Sequence, residues 1–174
     1  MADDRGDDGD DGVGALPTDA SLLDPGTGLF AQPFFLAALS WRVTACRRVL
    51  RPLALALVEV VDGLPDGPVV ASDPKVVTAM IRATLRTSDV CARLADGTYG
   101  LMMEDTPEDG AVWTVERLRR SLVTRPGGRV LRSGVACYPG QALTPTDLVR
   151  ATEAAFAAAR EWPQDRIEVA PPTT

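Results

Sequence analysis

Histidine is absent from this 174-residue chain, and Lys75 is its one lysine beside seventeen arginines. Without histidine the chain cannot contain a Ser-His-Asp or Cys-His triad, nor the usual histidine-containing zinc site. Cysteine is scarce as well. Cys46, Cys91 and Cys137 are widely spaced within apolar segments, which predicts small buried thiols in a reducing compartment rather than disulfides or a metal site.

Long apolar runs and excess positive charge are also lacking. No apolar run reaches the roughly 20 residues of a membrane-spanning helix, and no signal peptide opens the chain. The formal net charge is −6, but six aspartates lie within the first twelve residues, so the rest is nearly neutral. This argues against broad binding to nucleic acid or to an anionic membrane. We therefore expect a cytoplasmic protein with neither of these partners.

The composition indicates one domain between two short tails. Residues 1–16 are acidic and rich in glycine, so we predict a disordered tail there. Residues 17–170 hold the apolar segments that can form a core, and residues 171–174 form a C-terminal tail. With 45% apolar and 24% charged residues, the composition is ordinary for a globular domain.

The clearest local signal is a β-hairpin. Two short strand-like runs, residues 90–94 and 99–103, flank the Asp96-Gly97 pair, and an Asp-Gly pair favours a tight turn. The continuous apolar run of residues 53–61 predicts a central strand covered on both faces. Further strands are predicted at residues 130–138 and 167–169.

Prolines and capping residues mark where four helices begin. Pro33 opens the first helix, and Asp73-Pro74 opens a second that should run to about Arg86. Thr106-Pro107 and Thr144-Pro145 begin two more by the same device. The order of elements predicts an α/β (α+β) fold in which a five-stranded mixed sheet is flanked by helices.

Arg86 and Asp89 lie just ahead of the hairpin with two residues between them. A guanidinium fork and a carboxylate at this spacing can both reach one ligand that carries phosphates and hydrogen-bonding bases. The alternative is a helix end with a solvated ion pair.

Four segments of the chain carry a resemblance to a known family: residues 24–29, 51–55, 133–136 and 151–160. In order and spacing they resemble the opening motif, first strand, later strand and last helix of the GGDEF, or diguanylate cyclase, domain. The resemblance covers residues 22–169 and implies the GGDEF or palm-like arrangement of the sheet and its helices.

The hairpin turn departs from the pattern of that family. Its members carry two glycines, an acidic metal ligand, a glutamate and an aromatic residue at the five turn positions. Here those positions hold Ala95, Asp96, Gly97, Thr98 and Tyr99. The first-strand aspartate that helps to bind two magnesium ions corresponds to Glu59, and a phosphate-binding lysine corresponds to Arg160. The resemblance therefore implies a vestigial active site, with no catalytic residue, no cofactor and no metal unless Glu59 binds one.

The Arg-x-x-Asp motif of the family, by contrast, is present. In the family it forms the primary part of an inhibitory site for cyclic di-GMP, and the resemblance assigns that part to Arg86 and Asp89. It assigns the second arginine of the site to Arg117, and the arginine between motif and turn to Arg93. Arginine can donate two parallel hydrogen bonds to guanine or phosphate, and aspartate can accept from guanine N–H groups.

Three functions are open on these grounds. The first is a catalytically inactive GGDEF-like signalling protein, a cyclic di-GMP receptor or interaction module that works as a homodimer or with a partner signalling protein. The second is an active or weak diguanylate cyclase that uses Mg²⁺ to make cyclic di-GMP from two GTP. The third is a dimerisation scaffold that binds no nucleotide. The guanine-binding stretch of the family has no counterpart in residues 63–74, which form a shorter segment. The missing metal-binding and guanine-binding residues favour the first function over the second.

Overall fold

A computed structural model describes residues 22–63, 69–123 and 128–173. The predicted N-terminal tail and most of the predicted helix break at residues 125–128 lie outside the described residues. In chain order the elements are β1 (Phe30–Ala31), α1 (Gln32–Val49), β2 (Leu53–Asp62), β3 (Val70–Ala71), α2 (Pro74–Thr84), β4 (Val90–Arg93), β5 (Tyr99–Glu104), α3 (Glu108–Val123), β6 (Arg129–Tyr138), α4 (Pro145–Arg160) and β7 (Arg166–Val169).

The strands form one mixed sheet in the order β1-β4-β5-β2-β6-β7, with β3 paired to β2. Strand β2 is antiparallel to both β5 and β6, while β7 runs parallel to β6 and β1 parallel to β4. The mixed sheet and the central place of β2 confirm the prediction. The two-residue strands β1 and β3 add to the five predicted ones, because runs this short have no recognisable period in the sequence.

Helices cover both faces of the sheet. On one face, α2 and α3 pack through residues such as Val77, Ile81 and Leu118, and on the other α1 and α4 pack through residues such as Leu39 and Leu148. Burial on both faces explains why β2 is a continuous apolar run instead of an alternating one.

Close contact between α4 and the sheet depends on one glycine of β6. A Cβ at Gly134 would overlap the backbone of Phe156 in α4. Glycine is the residue that permits two backbones to approach this closely. The contact fixes α4, and with it Arg160 at its last position, over the middle of the sheet.

Two of the four predicted helix starts are confirmed with their caps, whereas Ala31 before α1 makes no side-chain cap and the Thr106 hydroxyl donates to the Glu104 carbonyl instead. The Asp73 carboxylate accepts from the Lys75 backbone N–H at 2.9 Å, and the Thr144 hydroxyl accepts from the Asp147 N–H at 3.1 Å. Helix α2 ends at Thr84, not at Arg86 as expected, because the Asp89 carboxylate binds the backbone N–H of Arg86 at 2.9 Å. A side chain that satisfies a backbone N–H locally competes with continuation of the helix.

The three cysteines are buried, free thiols. Desolvation raises the pKa of Cys91 and of Cys137 to about 12. The three tryptophans, by contrast, lie at the surface, with exposed fractions of 69% for Trp41, 68% for Trp113 and 46% for Trp162. Within the described ranges, no helix combines the length and the apolar character that crossing a bilayer requires.

Candidate functional site

The hairpin turn is shaped by its own side chains. Gly97 donates from its N–H to the Leu94 carbonyl at 2.9 Å, and its φ of +85° lies in the left-handed region that favours glycine. The Asp96 carboxylate accepts from the N–H of Thr98 at 3.0 Å and from its hydroxyl at 2.6 Å. Asp96 therefore stabilises the turn, as expected of an Asp-Gly pair.

Glu59 lies beside this turn. Pairing of β2 with β5 places Val58 opposite Tyr99, and Glu59 and Gly97 line one cavity of ≈ 180 Å³ together with Arg93. The resemblance assigns Glu59 and the hairpin turn to one site, and the structure places both at the same cavity.

Two arginines hold the Glu59 carboxylate. Its Oε1 accepts from Nη2 of Arg160 at 2.8 Å, and its Oε2 lies 3.4 Å from Nη1 of Arg132. Arg132 also donates from Nε to the Trp162 carbonyl at 2.7 Å, and the guanidinium of Arg160 lies 4.4 Å from the centre of the Phe156 ring. Both carboxylate oxygens are thus already engaged by cations.

Arg132 was not a candidate from the sequence. It reaches Glu59 because the register of β2 against β6 places the two residues opposite each other. The residues are 73 positions apart, and nothing local to either strand indicates this register.

This arrangement does not fit a pair of divalent cations. Across the described residues, no group of three or more cysteine, aspartate or glutamate side chains is placed to hold a metal ion. Magnesium requires several oxygen ligands at fixed geometry. Here one carboxylate lies between two guanidinium groups, and their positive charges disfavour a further cation.

A second cavity, of ≈ 580 Å³, lies between the hairpin turn and α4. Leu57, Ala95 and Phe156 provide apolar walls, while Glu153 and Arg160 provide opposite charges. Arg160 therefore borders this cavity while its guanidinium is paired with Glu59.

Arg86 and Asp89 meet in a way that the spacing alone does not reveal. The Asp89 carboxylate accepts from the backbone N–H of Arg86 through Oδ2 at 2.9 Å, and the Asp89 N–H donates to the Arg86 carbonyl at 3.1 Å. Between these two side chains there is no ion pair in the described part of the chain. The Arg86 side chain is exposed. The solvated ion pair of the alternative interpretation therefore does not form, because Asp89 binds the backbone of Arg86 and not its side chain.

The second oxygen of Asp89 has a different environment. Oδ1 is shielded from solvent and has no hydrogen-bond partner among the described residues. Asp89 also lines a groove of ≈ 240 Å³ together with Arg82, Arg86, Thr87 and Cys91, and with Ile81 and Leu85. An unpaired, shielded carboxylate oxygen is costly, and pairing it with an N–H donor would recover that free energy.

Arg117 and Arg93 lie outside this groove. Arg117, on α3, donates from Nη2 to the carbonyl of Thr84 at the end of α2, two residues before Arg86. Arg93 lies 3.9 Å from the Asp24 carboxylate and borders the cavity that contains Glu59. The structure thus brings Arg117 near Arg86 and places Arg93 at the cavity of Glu59.

Arg82 lines the groove and was also absent from the sequence-based candidates. Its Nη2 donates to the carbonyls of Gly28 at 2.9 Å and Thr27 at 3.3 Å. Position 82 follows the helical pattern of α2, and its contact with a turn 54 residues earlier leaves no local signal.

No protein-family model matches the chain, and no curated protein is significantly similar to it. Solved structures are similar. The GGDEF domain of TpbB (YfiN) from Pseudomonas aeruginosa superposes with a TM-score of 0.74 at 22% identity, covering 85% of this chain and 94% of that one. The GGDEF domain of DgcB from Caulobacter crescentus, in complex with c-di-GMP, gives 0.72 at 15%, covering 88% and 98%.

A third similar structure is the diguanylate cyclase SiaD in complex with its activator SiaC, from Pseudomonas aeruginosa. Its TM-score is 0.70 at 23% identity, and the match covers 87% of this chain and 62% of that one. The agreement extends over most of the chain in each case, so the chain has the fold of a GGDEF domain.

Proposed function

We propose that this chain is a catalytically inactive GGDEF-like protein that binds cyclic di-GMP through Arg86 and Asp89. One observation carries the proposal: Oδ1 of Asp89 is shielded and lacks a partner among the described residues, and Asp89 lines a groove together with the exposed Arg86. A buried acceptor without a partner costs about 1–3 kcal/mol, which a suitable ligand donor recovers. Guanine offers N–H donors to such a carboxylate and acceptors to an arginine fork.

The vestigial site supports the absence of catalysis. Two-metal phosphoryl transfer needs anionic ligands that hold the metals and orient the nucleotide. Gly97 and Thr98 supply no carboxylate, and Glu59 is paired with Arg132 and Arg160. Mg²⁺ would be needed only if the chain were a cyclase after all.

The two remaining arginines of the predicted site, Arg117 and Arg93, contribute unequally to ligand affinity in this proposal. Arg117 supplies a second cation, either within this chain from its position at Thr84 or from a neighbouring copy in a homodimer. Arg93 contributes less, since it pairs with Asp24. The DgcB domain was solved with c-di-GMP and SiaD with an activator protein, which makes the dinucleotide and a partner signalling protein the ligands to test first.

Isothermal titration calorimetry with cyclic di-GMP tests the proposal. We expect the wild-type protein to saturate below ~100 μM and Arg86→Ala to bind ten- to a hundredfold more weakly, since a charged bidentate contact contributes about 1.5–3 kcal/mol. Asp89→Asn keeps an oxygen for the Arg86 N–H but turns an amide donor towards the guanine, so its affinity should fall as well.

Arg47→Ala is the matched control. Arg47 is an exposed arginine in the last turn of α1, on the opposite face of the sheet from α2. Its removal should leave affinity unchanged. If the wild-type protein does not saturate by ~100 μM, or if Arg47→Ala weakens binding as much as Arg86→Ala, the receptor proposal fails and the scaffold alternative replaces it.

A further inference from the structure

Arg82 lies on α2 in the same groove as Arg86 and Asp89. We propose that it is the third residue of this groove, after Arg86 and Asp89, to bind the anionic ligand, and that it couples the groove to the turn formed by residues 24–28. This inference rests on the proposed function and extends it to the regulation of the same site.

The contacts of Arg82 leave donors for a ligand. A guanidinium carries five N–H donors, and the described hydrogen bonds of Arg82 use Nη2 alone, towards the carbonyls of Thr27 and Gly28. None of the described hydrogen bonds uses Nε or Nη1, and Arg82 lines the groove. Two carbonyls hold the guanidinium in place before any ligand arrives, which lowers the entropy lost on binding a phosphodiester.

The turn that holds Arg82 is itself built around Asp24. Its carboxylate accepts from the Thr27 N–H at 2.8 Å and from the Thr27 hydroxyl at 2.6 Å, and its carbonyl accepts from the Gly28 N–H at 2.7 Å. The same carboxylate lies 3.9 Å from Arg93, which borders the cavity of Glu59 and Gly97. Polar contacts therefore connect the groove to Arg93, which borders the same cavity as the hairpin turn.

Thermodynamic linkage gives this connection a measurable consequence. If the intact turn positions Arg82 for the ligand, loosening the turn weakens binding, and the ligand in return stabilises the turn by the same factor. A ligand in the groove would then stabilise the contacts of Asp24 and Arg93, and Arg93 borders the cavity of Glu59.

Calorimetry with cyclic di-GMP distinguishes a direct contact of Arg82 with the ligand from the non-specific effect of a positive charge on α2. We expect Arg82→Ala to weaken binding about tenfold and Arg82→Lys to lie between, because lysine keeps the charge without the fork. Lys75→Ala is the control: it removes one positive charge from the same face of α2, two turns earlier, outside the groove. Its affinity should stay within about twofold of wild type, because an exposed charge at that distance is largely screened.

A double-mutant cycle tests the coupling. Asp24→Ala, which loosens the turn without touching the groove, should weaken binding about threefold in the wild-type background and not at all beside Arg82→Ala. In the wild-type protein, cyclic di-GMP should also slow hydrogen exchange at the N–H groups of Thr27 and Gly28. Far-UV circular dichroism checks folding, and Arg82→Lys carries the cycle if Arg82→Ala does not fold.

The outcomes distinguish the two proposals. A wild-type protein that does not saturate overturns the proposed function. A wild-type protein that saturates, with Arg82→Ala equal to Lys75→Ala, overturns the binding role of Arg82 alone. Independent, additive losses from Asp24→Ala and Arg82→Ala, or unchanged exchange at the turn, overturn the coupling.

Discussion

Replacing Glu59 by glutamine should destabilise the fold, because Glu59 lies between two arginines. The exposed fractions of the side chains are 22% for Glu59, 11% for Arg132 and 41% for Arg160. Removing one partner of a fully buried ion pair costs about 3–5 kcal/mol, whereas a surface pair contributes at most about 1 kcal/mol. Arg132 is nearly buried but keeps the Trp162 carbonyl, so we expect Glu59→Gln to cost about 1.5–2 kcal/mol.

Urea denaturation followed by far-UV circular dichroism measures this cost. The midpoint should fall at an unchanged m-value, and Tm should drop by about 3–8 °C. Arg160→Ala should cost less than Glu59→Gln, since the Arg160 pair is more exposed. Asp105→Asn breaks the solvent-exposed pair of Asp105 with Arg51 and should change stability by less than about 0.5 kcal/mol. A Glu59→Gln protein as stable as wild type, or less affected than Arg160→Ala, would refute the reasoning.

Three further predictions concern the proposed lack of catalysis, the packing of α4 and the thiols. With GTP and Mg²⁺ or Mn²⁺ the protein should make no cyclic di-GMP, and acidic residues introduced at Gly97 and Thr98 should not restore synthesis. The metals should also leave Tm unchanged. Cyclic di-GMP detected by mass spectrometry above a boiled-protein control would contradict this prediction. Gly134→Ala should lower the free energy of unfolding by more than about 3 kcal/mol in urea denaturation, because its Cβ would overlap the backbone of Phe156. Gly140→Ala should have no such effect, because a Cβ there meets nothing within 4 Å. Equal stabilities of the two variants would show that α4 can shift. The raised pKa of Cys91 and Cys137, about 12 in each case, keeps the thiols protonated, so iodoacetamide at pH 8 should label them only after unfolding. Rapid labelling of the native protein would refute the burial. Burial raises these pKa values above the ordinary 9.0, so the two protonated thiols make their full contribution to the free energy of unfolding below pH 9. That contribution should be lost as pH rises from 9 towards 12.

Local chemistry in the sequence was enough to predict most of the fold. Asp73-Pro74 and Thr144-Pro145 begin helices because a cap and a proline act within one turn of the chain. The Asp96-Gly97 turn has the same local origin. The apolar run of β2 indicated its central position, since both faces of that strand are buried.

The site was less predictable, because its contacts depend on the register of strands and the packing of helices. Arg132 meets Glu59 across a strand pair, and Arg82 meets Gly28 across the gap between α2 and a turn. The spacing of Arg86 and Asp89 indicated that they lie together, but not that the carboxylate binds the backbone of Arg86. Arg93 was grouped with them by sequence, whereas its carboxylate neighbour is Asp24.

The surface positions of the three tryptophans determine what intrinsic fluorescence can report. Trp41, Trp113 and Trp162 lie on α1, on α3 and just after α4, and all are substantially exposed. Their emission in the native protein should already resemble that of an unfolded chain, so unfolding will change it little. Trp162, whose ring lies 4.5 Å from the guanidinium of Arg166 and whose carbonyl binds Arg132, is the one beside the Glu59 ion pairs. A protein in which only Trp162 is kept would therefore be a local optical probe of events at Glu59.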